Sequence, residues 1–138
     1  MPRSKVWVSL IIIGFGISVT GRTNASKLVC VMRPTASNDA HGVVWFTQTA
    51  GGVKIVADIE GMNPNSQHAI HIHEFGDATA ADGKSAGGHY NPQGHAHALP
   101  NQRRRHAGDL GNLTADRNGK AHYEITSHDI SLVGPRNP

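Results

Sequence analysis

The segment from His68 to Asp109 constrains this chain most: HAIHIHEFGDATAADGKSAGGHYNPQGHAHALPNQRRRHAGD. It holds seven of the chain's ten histidines, at 68, 71, 73, 89, 95, 97 and 106. From Gly76 onward it has almost no hydrophobic period, being rich in Gly, Ala, Asn, Pro and His. Loops of this length in a small domain are usually functional or disordered. Neutral imidazole binds metals near neutral pH with little need for deprotonation. The histidine density points to a two-metal site, with one pocket for a redox metal and a neighbouring one for zinc.

The remainder must frame that loop. At 138 residues the chain holds one domain and a modest core. Arg3 and Lys5 precede an apolar run of 14 residues, Val6 to Val19, followed by polar Gly21 to Asn24. This is the pattern of a secretory signal, residues 1–25, with Thr23-Asn24-Ala25 as the cleavage site and a mature domain from Ser26 to Pro138. The run is short of the roughly 20 residues that span a bilayer, although an uncleaved membrane anchor is the alternative. Cys30 lacks the small apolar residues that precede a lipidated cysteine. The formal charge of +3 comes from Arg3, Lys5 and Arg22, so the mature part is neutral and nothing indicates a nucleic-acid partner. Cys30 is the single cysteine and forms no internal disulfide. It sits mid-strand among apolar neighbours, as a buried small hydrophobe does.

Short extended segments separated by turns follow the signal. Strands are expected at 27–33, 41–47, 53–60 and 67–75. Val53, Ile55, Ala57 and Ile59 alternate with Lys54, Val56, Asp58 and Glu60, which gives one buried and one mostly solvated face. Residues 112–115 and 120–126, joined by Asp116-Arg117-Asn118-Gly119, read as a hairpin. Ile130, Leu132 and Val133 begin one more strand, and no helix is expected outside the signal. Such a rhythm indicates an all-β fold, an antiparallel sandwich or Greek-key barrel with a long metal-binding loop.

His71 and His73, two apart on a strand, point the same way and lie roughly 6.5–7 Å apart, so they can close on one metal. Ile70 and Ile72 on the other face can anchor the strand. His97, His106 and Asp109, with His89, make three nitrogens and one carboxylate, a set that suits tetrahedral zinc. Ala107 and Gly108 let the backbone turn so that His106 and Asp109 reach one ion. His95, His122, His128 and His41 read as solvated. His68, one step out of phase, reads as a hydrogen-bond brace for a ligand.

These residues closely resemble the copper-zinc superoxide dismutase family. The matching motifs are HAIHIHEFGD (68–77), SAGGHYNP (85–92), HALP (97–100) and HAGDLGNLTAD (106–116), with GVVWFTQTAGGVKIVADIEG (42–61) upstream and ISLVGPRN (130–137) after. The resemblance implies a Greek-key β-barrel that disproportionates superoxide by copper redox cycling, with zinc as structural partner. It implies that His71, His73 and His89 bind copper and act in catalysis. It implies that His89, His97, His106 and Asp109 bind zinc, His89 bridging both ions. Gly88 and Gly108 match small residues that let the family's loops pass close to the site.

The family's fourth copper histidine, its guiding arginine and its final strands, with one disulfide half, fall past the position where this sequence stops. The stretch 76–83, GDATAADG, has no cysteine in the place of the other half. The domain at 26–138 is therefore read as incomplete at its C-terminus. Three readings follow: an exported superoxide dismutase, periplasmic or extracellular; a non-catalytic zinc- and copper-binding remnant; and a homodimer or partner completed by strand exchange. No membrane contact is expected after cleavage. Arg103, Arg104 and Arg105 form either a solvated basic loop or a substitute for the guiding charge.

Overall fold

A computed structural model describes residues 26–132. The expected signal at 1–25, and the last expected strand from Val133 onward, lie outside the described residues. Six strands occur in chain order: β1 (Lys27–Met32), β2 (His41–Thr49), β3 (Gly52–Glu60), β4 (Gln67–His71), β5 (Asp109–Thr114) and β6 (Ala121–Ser127). A single 3-10 turn at Lys84–Ala86 interrupts the long loop, and there is no α-helix among the described residues.

Two antiparallel sheets face each other. The larger has the order β1-β2-β3-β6 and the smaller pairs β4 with β5. β3 shows why they stack. Val53, Ile55, Ala57 and Ile59 are at most 1% exposed, while the alternate residues face outward. Branched side chains pack well on a pleated surface and alternate strictly across it. Cys30, Met32, Val44 and Phe46 extend this inner layer across β1 and β2, and Ile70, Leu110 and Leu113 meet it from the small sheet. On the outer face of β3 and β6, Lys54 pairs with Glu124 at 2.9 Å, Asp58 with His122 at 2.6 Å and Glu60 with Lys120 at 2.7 Å.

Four expectations change. The hairpin expected between 112–115 and 120–126 does not form, because β5 pairs with β4 while β6 pairs with β3. The Asp116–Gly119 turn carries the chain from one sheet to the other, a pairing choice that no local signal encodes. β4 ends at His71, not Phe75: the ladder shifts register between Ala69 and His71. Beyond it the backbone bonds to loop segments instead. β5 starts at Asp109, so that residue stands on a strand end rather than in a loop. Ile130 to Leu132 are not in a strand.

Candidate metal centre

Three chain segments carry the histidines, and three backbone bonds hold them together. Ile72 N–H donates to Gly108 O, Gly108 N–H donates to Tyr90 O, and Tyr90 N–H donates to Ile72 O, each at 2.9 Å. Each residue both donates and accepts, so the three residues form a closed ring. Its members neighbour His71 and His73, His89, and the His106–Asp109 turn. Gly108 makes the ring possible, since a Cβ there would lie 2.4 Å from Ile72 O and 3.1 Å from Tyr90 N. A Cβ on Gly88 would meet nothing within 4 Å. The close approach expected at Gly88 is at Gly87 instead, where φ is 73° and a Cβ would lie 2.7 Å from the Phe75 ring.

Asp109 is 1% exposed and its two oxygens have different tasks. Oδ2 accepts from the Ala98 N–H at 3.1 Å and the His106 N–H at 3.2 Å. Oδ1 faces three imidazole nitrogens: His97 Nδ1 at 2.9 Å, His89 Nδ1 at 3.1 Å and His106 Nδ1 at 3.4 Å. Burial opposes its charge, but the Ala98 amide and the His97 imidazole hold its carboxyl below the ordinary carboxylate value.

His71 and His73 meet around His89. The His71 ring stacks on His89 with centroids 3.8 Å apart, and His73 stands edge-on to it at 5.4 Å. The β4 bulge thus still leaves both on the same side. His73 Nδ1–H donates to Gly87 O at 3.0 Å, which fixes the tautomer and leaves Nε2 as the basic nitrogen. Burial, with repulsion from His89, lowers the pKa of His71 to about 4. Burial lowers that of His89 too, against the opposing pull of Asp109. Both shifts favour the neutral ring, the form that binds metal.

Two overlapping groups result. One donor atom each from His71, His89, His97 and Asp109 lie within 4.8 Å of one another. The other group replaces His71 by His106, whose Nδ1 is also 3.3 Å from His89 Nδ1. The second is the better zinc set, because its three nitrogens converge on a single carboxylate oxygen. His89, His97 and Asp109 belong to both.

Other histidines fall elsewhere. His68 braces no ligand: its Nε2–H donates to Ser66 Oγ at 2.6 Å, whose hydroxyl donates to Asn63 O at 2.5 Å. It shares the inner face of β4 with Ile70, and burial lowers its pKa. His41, His122 and His128 are exposed, as expected. His95 is half-buried and hydrogen-bonded rather than solvated. Arg105 also departs from a solvated basic loop, since its guanidinium pairs with Asp129 at 2.5 Å and its side chain is 14% exposed. Arg103 and Arg104 are exposed.

The family model for copper/zinc superoxide dismutase matches residues 40–137. The chain belongs to the copper/zinc superoxide dismutase family. It is 40% identical over 134 residues to the Cu-Zn superoxide dismutase of Paramecium bursaria Chlorella virus 1, covering 93% of this chain and 70% of the relative. It is 45% identical over 112 residues to the Cu-Zn superoxide dismutase A of Xenopus laevis, covering 80% of this chain and 71% of the relative. It is 42% identical over 113 residues to the extracellular Cu-Zn superoxide dismutase of Onchocerca volvulus, covering 80% and 54%. The family's cofactors are copper and zinc, and the donors fit both. Three imidazoles and a carboxylate suit tetrahedral zinc, and imidazole suits copper.

Proposed function

We propose that the chain is an exported copper-zinc superoxide dismutase whose copper ligands are His71, His73 and His89 and whose zinc ligands are His89, His97, His106 and Asp109. The reading rests on the convergence of three Nδ1 atoms on Asp109 Oδ1, with His71 stacked against the shared His89. Copper supplies the one-electron chemistry by which two superoxide ions and two protons become one dioxygen and one hydrogen peroxide. The chain's own residues prepare the site. Gly87 O orients the His73 ring, so its Nε2 is presented. Asp109 brings three Nδ1 atoms within 3.4 Å of its Oδ1 and is itself held by two backbone amides. With His89 Nδ1 turned toward Asp109, its Nε2 is the atom that can carry a proton toward the substrate side.

Export is supported by the signal-like pattern at 1–25 and by kinship with a relative named extracellular. The mature domain would begin at Ser26, act in the periplasm or outside the cell, and leave the membrane after cleavage. A homodimer, with or without strand exchange, is the proposed assembly, and sedimentation across a concentration series tests it.

The deciding measurement is the dismutation rate per bound copper in chain loaded with both metals. A rate well above that of free copper, abolished by His71→Ala while zinc content stays unchanged, is expected. A rate equal to the metal-free control, with zinc still bound, would leave a metal-binding protein without catalysis.

A further inference from the structure

Between the two loop ligands His97 and His106 the chain makes an excursion of Leu99, Pro100 and polar residues, most of them exposed. Something must fix where its two ends lie relative to each other. His95 is placed to do this. Its peptide is gripped on both sides by one side chain: Asn91 Nδ2 donates to His95 O at 2.9 Å, and His95 N–H donates to Asn91 Oδ1 at 3.0 Å. Its ring reaches across the excursion, with Nδ1 3.2 Å from Arg105 O. A carbonyl only accepts, so Nδ1 carries the proton. Arg105 is fixed in turn by its guanidinium, which pairs with Asp129 after β6 and donates to Gln102 O at 3.2 Å. His95 stands two residues before His97, and Arg105 immediately precedes His106.

We propose that His95 is a positioning residue of the zinc set: its Nδ1–H holds the Arg105 carbonyl and thereby sets the spacing of His97 and His106. The inference rests on the ligand assignment made above. His95 is not itself a ligand. It acts through the carbonyl, as partners outside the ligand set do when they hold metal-binding side chains, and losing such a partner typically weakens metal binding about 10–100-fold.

The test compares the full chain with His95→Ala, His95→Asn, His95→Gln and His106→Ala. Zinc affinity is read by chelator competition, and the visible spectrum of bound cobalt(II) reports ligand geometry. Asn places an amide N–H where Nδ1 lies, whereas the amide of Gln sits beyond it. The expected result is a loss of about 10–100-fold in zinc affinity with a changed cobalt spectrum for Ala and Gln, and recovery of both for Asn. Unchanged affinity and spectrum in His95→Ala, or equal losses in all three His95 variants, would overturn the proposal. If His95→Ala does not fold, Gln against Asn still decides it. Zinc binding in His106→Ala as tight as in the parent chain would overturn the ligand assignment instead, and the positioning role with it.

Discussion

Replacing Gly108 by alanine tests the peptide ring that holds the three ligand segments together. No positive φ is involved, so the substitution is a purely steric perturbation. The new Cβ would lie 2.4 Å from Ile72 O, where ordinary contact begins at 3.4 Å. Backbone must therefore retreat by about 1 Å, because 2.4 Å lies far inside the separation at which non-bonded atoms attract. Ile72 and Tyr90 are themselves joined at 2.9 Å and both bond to Gly108, so movement stretches bonds that start at 2.9 Å past hydrogen-bond range. Losing two such bonds, with one group of each left unsatisfied, costs about 2–6 kcal/mol, at about 1–3 kcal/mol for each orphaned group. Gly88→Ala is the matched control: its Cβ meets open space, and restricting the unfolded chain should leave stability equal or raised by up to about 1 kcal/mol. Urea unfolding of the metal-free protein, with slopes compared, gives both values. Zinc affinity should fall with Gly108→Ala, since Asp109 is the next residue. A Gly108→Ala midpoint equal to that of Gly88→Ala would refute the reasoning.

The metal-free protein should lose stability as pH falls from about 6.5 toward 4: His71 and His89 bind protons less readily folded than unfolded, and the lowered Asp109 carboxyl acts with the same sign. Above that window these histidines should contribute no slope, and His71→Ala should flatten the acid limb of a plot of unfolding midpoint against pH. Tyr123→Phe removes the hydroxyl that donates to Leu110 O at 2.5 Å and should cost about 0.5–1.5 kcal/mol by urea unfolding. Lys54→Met breaks the exposed pair with Glu124 and should change stability by less than about 1 kcal/mol, with little dependence on salt remaining.

Much of this was legible in the sequence because strands with one buried face announce themselves. The Val53–Glu60 alternation located β3 within one residue. The six candidate ligands stood out by type and spacing, and the structure gathers the other five around His89. What was not legible is non-local. Asp116 to Gly119 has the composition of a hairpin turn, yet the partners of β5 and β6 are chosen by sheets built from residues far away in the chain. The early end of β4 depends on a register shift against β5. His95 reads as a solvated loop residue because a bond to a carbonyl 10 residues on leaves no mark in local spacing. Gly87 and Gly88 are indistinguishable as letters, and the left-handed φ and the Phe75 ring at Gly87 tell them apart.

The closed ring of Ile72, Tyr90 and Gly108 also makes the centre observable without a chromophore. Its three residues stand at successive intervals of 18 along the chain, and each is bonded to both of the others. Their amide protons should exchange with deuterium as one cooperative unit. The ring joins the segments on which the metal ligands stand, so that shared exchange rate should slow as the ions bind. Three otherwise ordinary backbone positions would then report metal occupancy from within the fold.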